Sequence, residues 1–134
     1  PMSTLYHITL PTLVSSWEDF GSIAPTYPDD EPLRHRHLKT KRAAPKGCAV
    51  TGRICLMGNG DCEWNQVYVA EQMQWFYKNS DGDEILYMHD GSGTMDSMFG
   101  TLKFGPGDYI VIPKGTYYKL ISDKLNPHMP AFVT

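Results

Sequence analysis

Glu84 and Tyr118 are the residues of this chain best suited to acid–base chemistry, with Lys78 as a third candidate. A carboxylate can take a proton and a phenol or an ammonium can return one, provided all face one enclosed space. Glu84 opens the alternating stretch Glu84-Ile-Leu-Tyr-Met-His89, and Tyr118 lies in a second, Tyr117-Tyr-Lys-Leu-Ile121. Strands would therefore decide whether the two meet. Lys78 is cut off from Glu84 by Asn79-Ser-Asp-Gly-Asp83, a turn composition that need not place it on the same face. A Lys–Glu pair enclosed together would also carry a large desolvation cost.

Other candidates are weaker. His35-x-His37 has the spacing of two ligands on one strand face. It sits, however, among Arg34, Arg36, Lys39, Lys41 and Arg42, whose charges repel a metal ion, so it reads as a solvated segment. His89 precedes the turn at Asp90 and reads as a hydrogen-bonding residue at a strand end. His7 and His128 stand alone. Trp75, Tyr77, Tyr87 and Tyr109 are candidate ligand-lining aromatics, in a set with Trp64, Phe76, Phe99, Tyr117 and Tyr118. Most of that set reads as core, because burying such side chains is a major source of stability.

The elements that must position these groups are strands. The 134 residues suffice for one domain with its own core, and 41% of them are hydrophobic. The 12 glycines and 10 prolines favour many turns over long helices. Alternation and turn signals place strands at Thr51–Met57, Gln66–Val69, Gln74–Tyr77, Glu84–His89, Gly93–Ser97, Gly100–Phe104, Tyr109–Ile112 and Tyr117–Ile121. Gly58-Asn-Gly-Asp61 and Gly105-Pro-Gly-Asp108 supply residues tolerant of positive φ for tight reversals. Before them, Thr4–Leu10 alternates like a strand that Pro11 ends. Ser16-Trp-Glu-Asp19 could open a short helical turn, and Gly21 to Pro32 reads as a connecting loop. The net charge of −3 lacks the basic excess of a nucleic-acid footprint. No apolar run reaches the length of a membrane span, and no signal peptide opens the chain. The odd count of three cysteines, without a CxxC pair, suggests reduced thiols and a cytoplasmic setting.

The stretch Asp81-Gly-Asp-Glu-Ile-Leu-Tyr-Met-His-Asp-Gly-Ser-Gly93 resembles the first motif of the cupins, and Gly107-Asp-Tyr-Ile-Val-Ile-Pro-Lys-Gly115 resembles the second. More narrowly, these stretches together with Phe99-Gly-Thr101, Leu5-Tyr-His7, Leu33-Arg-His-Arg-His-Leu-Lys-Thr40 and Val50-Thr-Gly-Arg53 look like part of the N-terminal half of the homogentisate 1,2-dioxygenase family, in its shorter bacterial form. That resemblance implies an Fe(II)-dependent ring-cleaving dioxygenase as the complete enzyme, with its iron ligands in the C-terminal half. It transfers no ligand to this chain. A metal cupin has His-x-His with Glu four residues on, and a third His three residues after Pro-x-Gly. Here those positions hold Lys78, Ser80, Glu84 and Tyr118, and one carboxylate beside an ammonium is a poor metal site.

The fold expected is all-β, a cupin-type jelly-roll barrel over residues 50–134 with an irregular extension over residues 1–49, the whole a single domain. The expected function is that of a metal-free scaffold similar to the dioxygenase N-terminal half, with no cofactor of its own and no activity alone. A free-standing module that binds a small molecule or assembles with itself is the second reading, and a metal-free isomerase or epimerase using Glu84 and Tyr118 is the third. A strand at Phe132-Val-Thr134 would leave a sheet edge open, which points to a dimer or higher homo-oligomer. Neither nucleic acid nor membrane is expected as a partner.

Overall fold

The computed structural model of the chain describes residues 6–10, 12–22, 24, 26, 27, 32, 34–125 and 130–133. Among the described residues nine strands form two antiparallel sheets: β1 (Ile54–Gly58), β2 (Glu63–Tyr68), β3 (Tyr77–Lys78), β4 (Glu84–Met88), β5 (Gly93–Ser97), β6 (Gly100–Phe104), β7 (Tyr109–Ile112), β8 (Tyr117–Ser122) and β9 (Pro130–Val133). One sheet runs β1-β2-β9-β4-β7 and the other β3-β8-β5-β6. The all-β expectation holds. β5, β6 and β7 fall on their expected bounds, and β4 and β8 lie within a residue of theirs.

Alternation decides what each strand buries. On β4, Glu84, Leu86 and Met88 point inward while Ile85 faces solvent and Tyr87 is half-buried. On β7, Ile110 and Ile112 are buried, and on β8 Tyr118 and Leu120 are. With Met95 of β5, these apolar side chains fill the space between the sheets. The core reaches back to Cys48, Ala49 and Val50 and takes in Met73 from the link between β2 and β3. Turn chemistry acts as the sequence suggests at Gly107, whose φ of 88° lets the chain reverse between β6 and β7. It acts differently between β1 and β2. Neither Gly58 nor Gly60 has a positive φ there, and the Asn59 side chain holds the turn by accepting from the amides of Asp61 and Cys62.

Several expectations are corrected. The strand expected at Thr51–Met57 begins only at Ile54, because residues 48–53 are committed to turns. In these the Gly52 amide donates to the Cys48 carbonyl and the Thr51 hydroxyl accepts from the Cys48 amide. β2 starts three residues before the expected Gln66, and β3 is the two-residue Tyr77–Lys78 where Gln74–Tyr77 was expected. Residues 6–10 form no strand, and residues 4 and 5 of that expected element lie outside the described residues. No helical turn forms at Ser16. The terminal strand is real but is not an edge. β9 inserts between β2 and β4, pairing Val67 with Ala131 on one side and Met88 with Ala131 on the other. The edges of its sheet are β1 and β7. Most of the aromatics are not core either: Trp64, Trp75, Phe76, Phe99, Tyr109 and Tyr117 are all exposed, and only Tyr118 is fully enclosed.

Candidate functional site

Glu84 enters the barrel at the first residue of β4, directly after the turn at residues 79–83. That turn is held by the Asn79 side chain, whose oxygen accepts from the amides of Asp81 and Gly82. It is stitched to the β7–β8 turn by two bonds, from the Gly115 amide to the Asn79 carbonyl and from the Lys114 amide to the Asp83 carboxylate. Across the barrel, β8 turns Tyr118 inward, and β3 pairs Tyr77 with Tyr118. The third member is Arg53, placed by the turns before β1, with its Nε donating to the Ala49 carbonyl at 3.1 Å.

These three side chains form one buried constellation. Arg53 Nη1 donates to Glu84 Oε1 at 2.7 Å and Nη2 to Oε2 at 3.3 Å. The Tyr118 hydroxyl donates to Glu84 Oε2 at 2.6 Å and accepts from Arg53 Nη2 at 2.9 Å. Asn79 Nδ2 completes the set on Oε1 at 3.1 Å. Glu84 thus receives four hydrogen bonds, which occupies the acceptor capacity of a carboxylate. Above them the Arg53 guanidinium lies 5.4 Å from the centroid of the Tyr77 ring, which meets the Tyr118 ring edge-on at 5.7 Å.

The electrostatics follow from that geometry. Burial by itself would raise the pKa of Glu84, but the Arg53 hydrogen bonds and charge outweigh it, and the carboxyl is held below its ordinary value. Burial also opposes the Arg53 charge, yet the bond to Glu84 leaves its pKa above the usual guanidinium range. Tyr118 is pushed well up, first by burial and then by the neighbouring Glu84 charge, against the opposing influence of Arg53. All three therefore stay in their neutral-pH forms: carboxylate, guanidinium and phenol.

The sequence left open whether Glu84 and Tyr118 share one interior, and the structure brings them into contact. It does not bring Lys78 to them. Lys78 is exposed, and its ammonium lies 4.9 Å from the centroid of the Tyr117 ring on the outside of the barrel. Arg53 was not singled out. Its one signal was its place in Val50-Thr-Gly-Arg53, and nothing in local spacing ties it to Glu84, 31 residues away. Of the candidate aromatics, Tyr77 borders the constellation. Tyr87 and Tyr109 stack on each other at 4.8 Å on the outer face of β4 and β7, and Trp75 is exposed. His89 is exposed and meets the Tyr87 ring, and His35 and His37 are exposed in an irregular segment.

An acid–base site needs room for its substrate. Glu84 is 2% exposed and Tyr118 0%, so neither has a face for one. A cavity of about 30 Å³ lies elsewhere, lined in part by Val69, Met88, Phe104 and Leu120, with space for about a water molecule. Nor do the residues fit Fe(II). Among the described residues no three His, Cys, Asp or Glu side chains gather as ligands, and the acceptor capacity of Glu84 is already taken by donors. Ser80 is exposed in its turn.

Tyr118→Phe tests this reading of the hydroxyl. The substitution removes a donor to Glu84 and an acceptor for Arg53, and is expected to cost about 1–3 kcal/mol in urea unfolding. It should also flatten the alkaline limb. A raised folded pKa means stability that is complete below the unfolded value of 10.0 and is lost as pH climbs from there towards the folded value. An unchanged midpoint and limb would show the hydroxyl to be incidental.

Comparison with solved structures decides the fold. The barrel superimposes on a cupin-2 domain protein of Shewanella frigidimarina with a TM-score of 0.51, at 17% identity over 60% of this chain and 76% of the other. The chain has the cupin fold. The Streptomyces protein Pac13, described as a nucleoside dehydratase, matches with a TM-score of 0.58 at 12% identity, over 75% of this chain and 80% of its own. KdgF of Halomonas matches with the same score at 15% identity, over 75% of this chain and 91% of its own. In sequence, the chain is 34% identical over 119 residues to a Saccharolobus solfataricus protein whose name assigns it provisionally to the dioxygenases. That match covers 88% of this chain but spans only 31% of the relative's length. No family model matches the chain. Among the described residues, no helix is long and apolar enough to cross a membrane.

Proposed function

We propose that this chain is a metal-free cupin scaffold domain, similar to the N-terminal half of homogentisate 1,2-dioxygenases, in which a guanidinium–carboxylate–phenol brace is buried between the sheets beside the apolar core. The observation that carries the reading is the complete hydrogen bonding of Glu84. This is the one position of the metal-cupin pattern that keeps a ligand-type residue, and both of its oxygens are engaged by Arg53, Tyr118 and Asn79. A carboxylate so engaged would have to give up strong charge-assisted bonds before it could hold a cation. The sequence relative named as a dioxygenase, of which this chain spans under a third, supports the affiliation. The role that follows is packing and assembly, with ring cleavage depending on ligands elsewhere in a complete enzyme.

The test is direct. The purified chain is titrated anaerobically with Fe(II), and oxygen uptake is then followed with homogentisate. No stoichiometric high-affinity iron and no uptake above a buffer control are expected. One tightly held equivalent of iron with uptake of oxygen would overturn the proposal.

A further inference from the structure

Among the described residues a segment with the pattern of a strand lies unpaired, and a strand edge lies unpaired beside an apolar strip. Residues 6–10 alternate Tyr6, Ile8 and Leu10 against His7 and Thr9, the period of a half-buried strand. In the protomer they form none, and Tyr6 and Ile8 are fully exposed at 93% and 106%. Beyond them Leu13, Val14, Trp17 and Phe20 are exposed as well. An arm that folded back on its own barrel would have buried these side chains.

The acceptor is the outer edge of the five-stranded sheet. Among the described residues β7 pairs with β4 alone, which leaves the other side of its backbone open. Its outward residues Tyr109 and Val111 are 69% and 64% exposed, and they stand opposite Tyr87 and Ile85 in the β4 register. The result is a contiguous apolar strip ending at an open edge. The other edges suit a donated strand less well. β1 is interrupted by a bulge between Cys55 and Met57, β3 has two residues, and β6 presents Thr101 and Lys103 to solvent.

We infer that residues 6–10 of one copy add as a strand to the β7 edge of a second copy, with the following apolar residues covering the strip over Ile85, Tyr109 and Val111. Donor and acceptor both belong to this chain, so two copies can satisfy each other reciprocally and close as a two-fold dimer. Pro11 ends the donated strand at its natural limit. The area is adequate. Three arm aromatics of about 150–250 Å² each, with four aliphatic side chains, reach the order of the ~800 Å² per partner that a specific interface buries. The open edge assigned to oligomerisation thus moves from the terminal strand, which is internal, to β7.

Light scattering on the full chain tests this, together with amide exchange. A mass twice the 15.1 kDa of the chain is expected, with the β7 amides protected. Ile8→Asp with Leu10→Asp, and separately Val111→Asp, should each weaken dimerisation on the order of tenfold or more and expose the β7 amides. Circular dichroism should be unchanged, since all these side chains are exposed in the protomer. A monomeric wild type would overturn the inference. So would a dimer that survives both sets of substitutions, or one broken by Leu102→Asp on β6 and not by Val111→Asp. The iron titration above reads a different property, so failure of either proposal leaves the other standing.

Discussion

Replacing Arg53 with Met is expected to cost about 3–5 kcal/mol in urea unfolding, a large part of the ~5–15 kcal/mol that holds a domain of this size together. The cost does not come from lost attraction alone. The Glu84 side chain is 3% exposed and that of Arg53 14%, so removing the guanidinium leaves a carboxylate in the barrel with two of its four hydrogen bonds gone and no water to replace them. The brace has a second property that separates it from ordinary packing. A triple variant, Arg53→Met with Glu84→Leu and Tyr118→Phe, removes every charge together and should recover much of the loss, because the desolvation cost disappears with the ions. Equilibrium unfolding of the single and triple variants checks both statements. A single variant within about 1 kcal/mol of wild type would show that the constellation is not under the strain of burial that its geometry implies.

Glu84→Gln is the complementary experiment and carries a pH signature. At neutral pH it leaves Arg53 as the uncompensated buried charge, and it sets an amide N–H against the donors that the carboxylate satisfied, so a loss of about 3–5 kcal/mol is again expected. The sign of the pH dependence follows from the lowered pKa of Glu84. In the unfolded chain the carboxyl titrates near its ordinary value of 4.5, and in the barrel it titrates lower. Its contribution is therefore complete above the unfolded value and is lost as pH falls through the folded one. Wild type should lose stability steeply on acidification below about pH 4.5, while Glu84→Gln, already at a lower plateau, should show a shallower acid limb. Urea midpoints across the acid range measure this. Parallel limbs in the two proteins would assign the acid sensitivity to other carboxylates.

The terms that the sequence made legible are local ones. Period-two alternation set Leu86 and Met88 on the face of β4 opposite Ile85 and Tyr87, and the structure keeps that assignment. The reversal at Gly107 was legible because a single residue's φ decides it. The turn composition of residues 79–83 gave a reason why Lys78 need not join Glu84, but its place on the outside of the barrel came only with the structure. The burial of most aromatics was misjudged for the opposite reason. Tyr109 satisfies a strand's preferences on either face, and which face meets the core is set by the partner sheet, while Trp75 and Phe76 precede β3 and lie in no strand.

What the chain's own pattern determined, then, is the all-β class, the strands from β4 to β8 to within a residue, and a pair of motifs without the imidazoles that a metal cupin requires. Tertiary structure decided two things no local pattern contains. It carried Arg53 across the barrel to Glu84 and Tyr118, 31 and 65 residues distant, and so closed the brace around the Glu84 carboxylate. It also threaded β9 between β2 and β4, which closed the edge the terminal strand suggested and left β7 open in its place. Both are pairings between distant segments. Side-chain period fixes which face of a strand is buried, but only the packing of the whole chain chooses the neighbour that face or edge will meet.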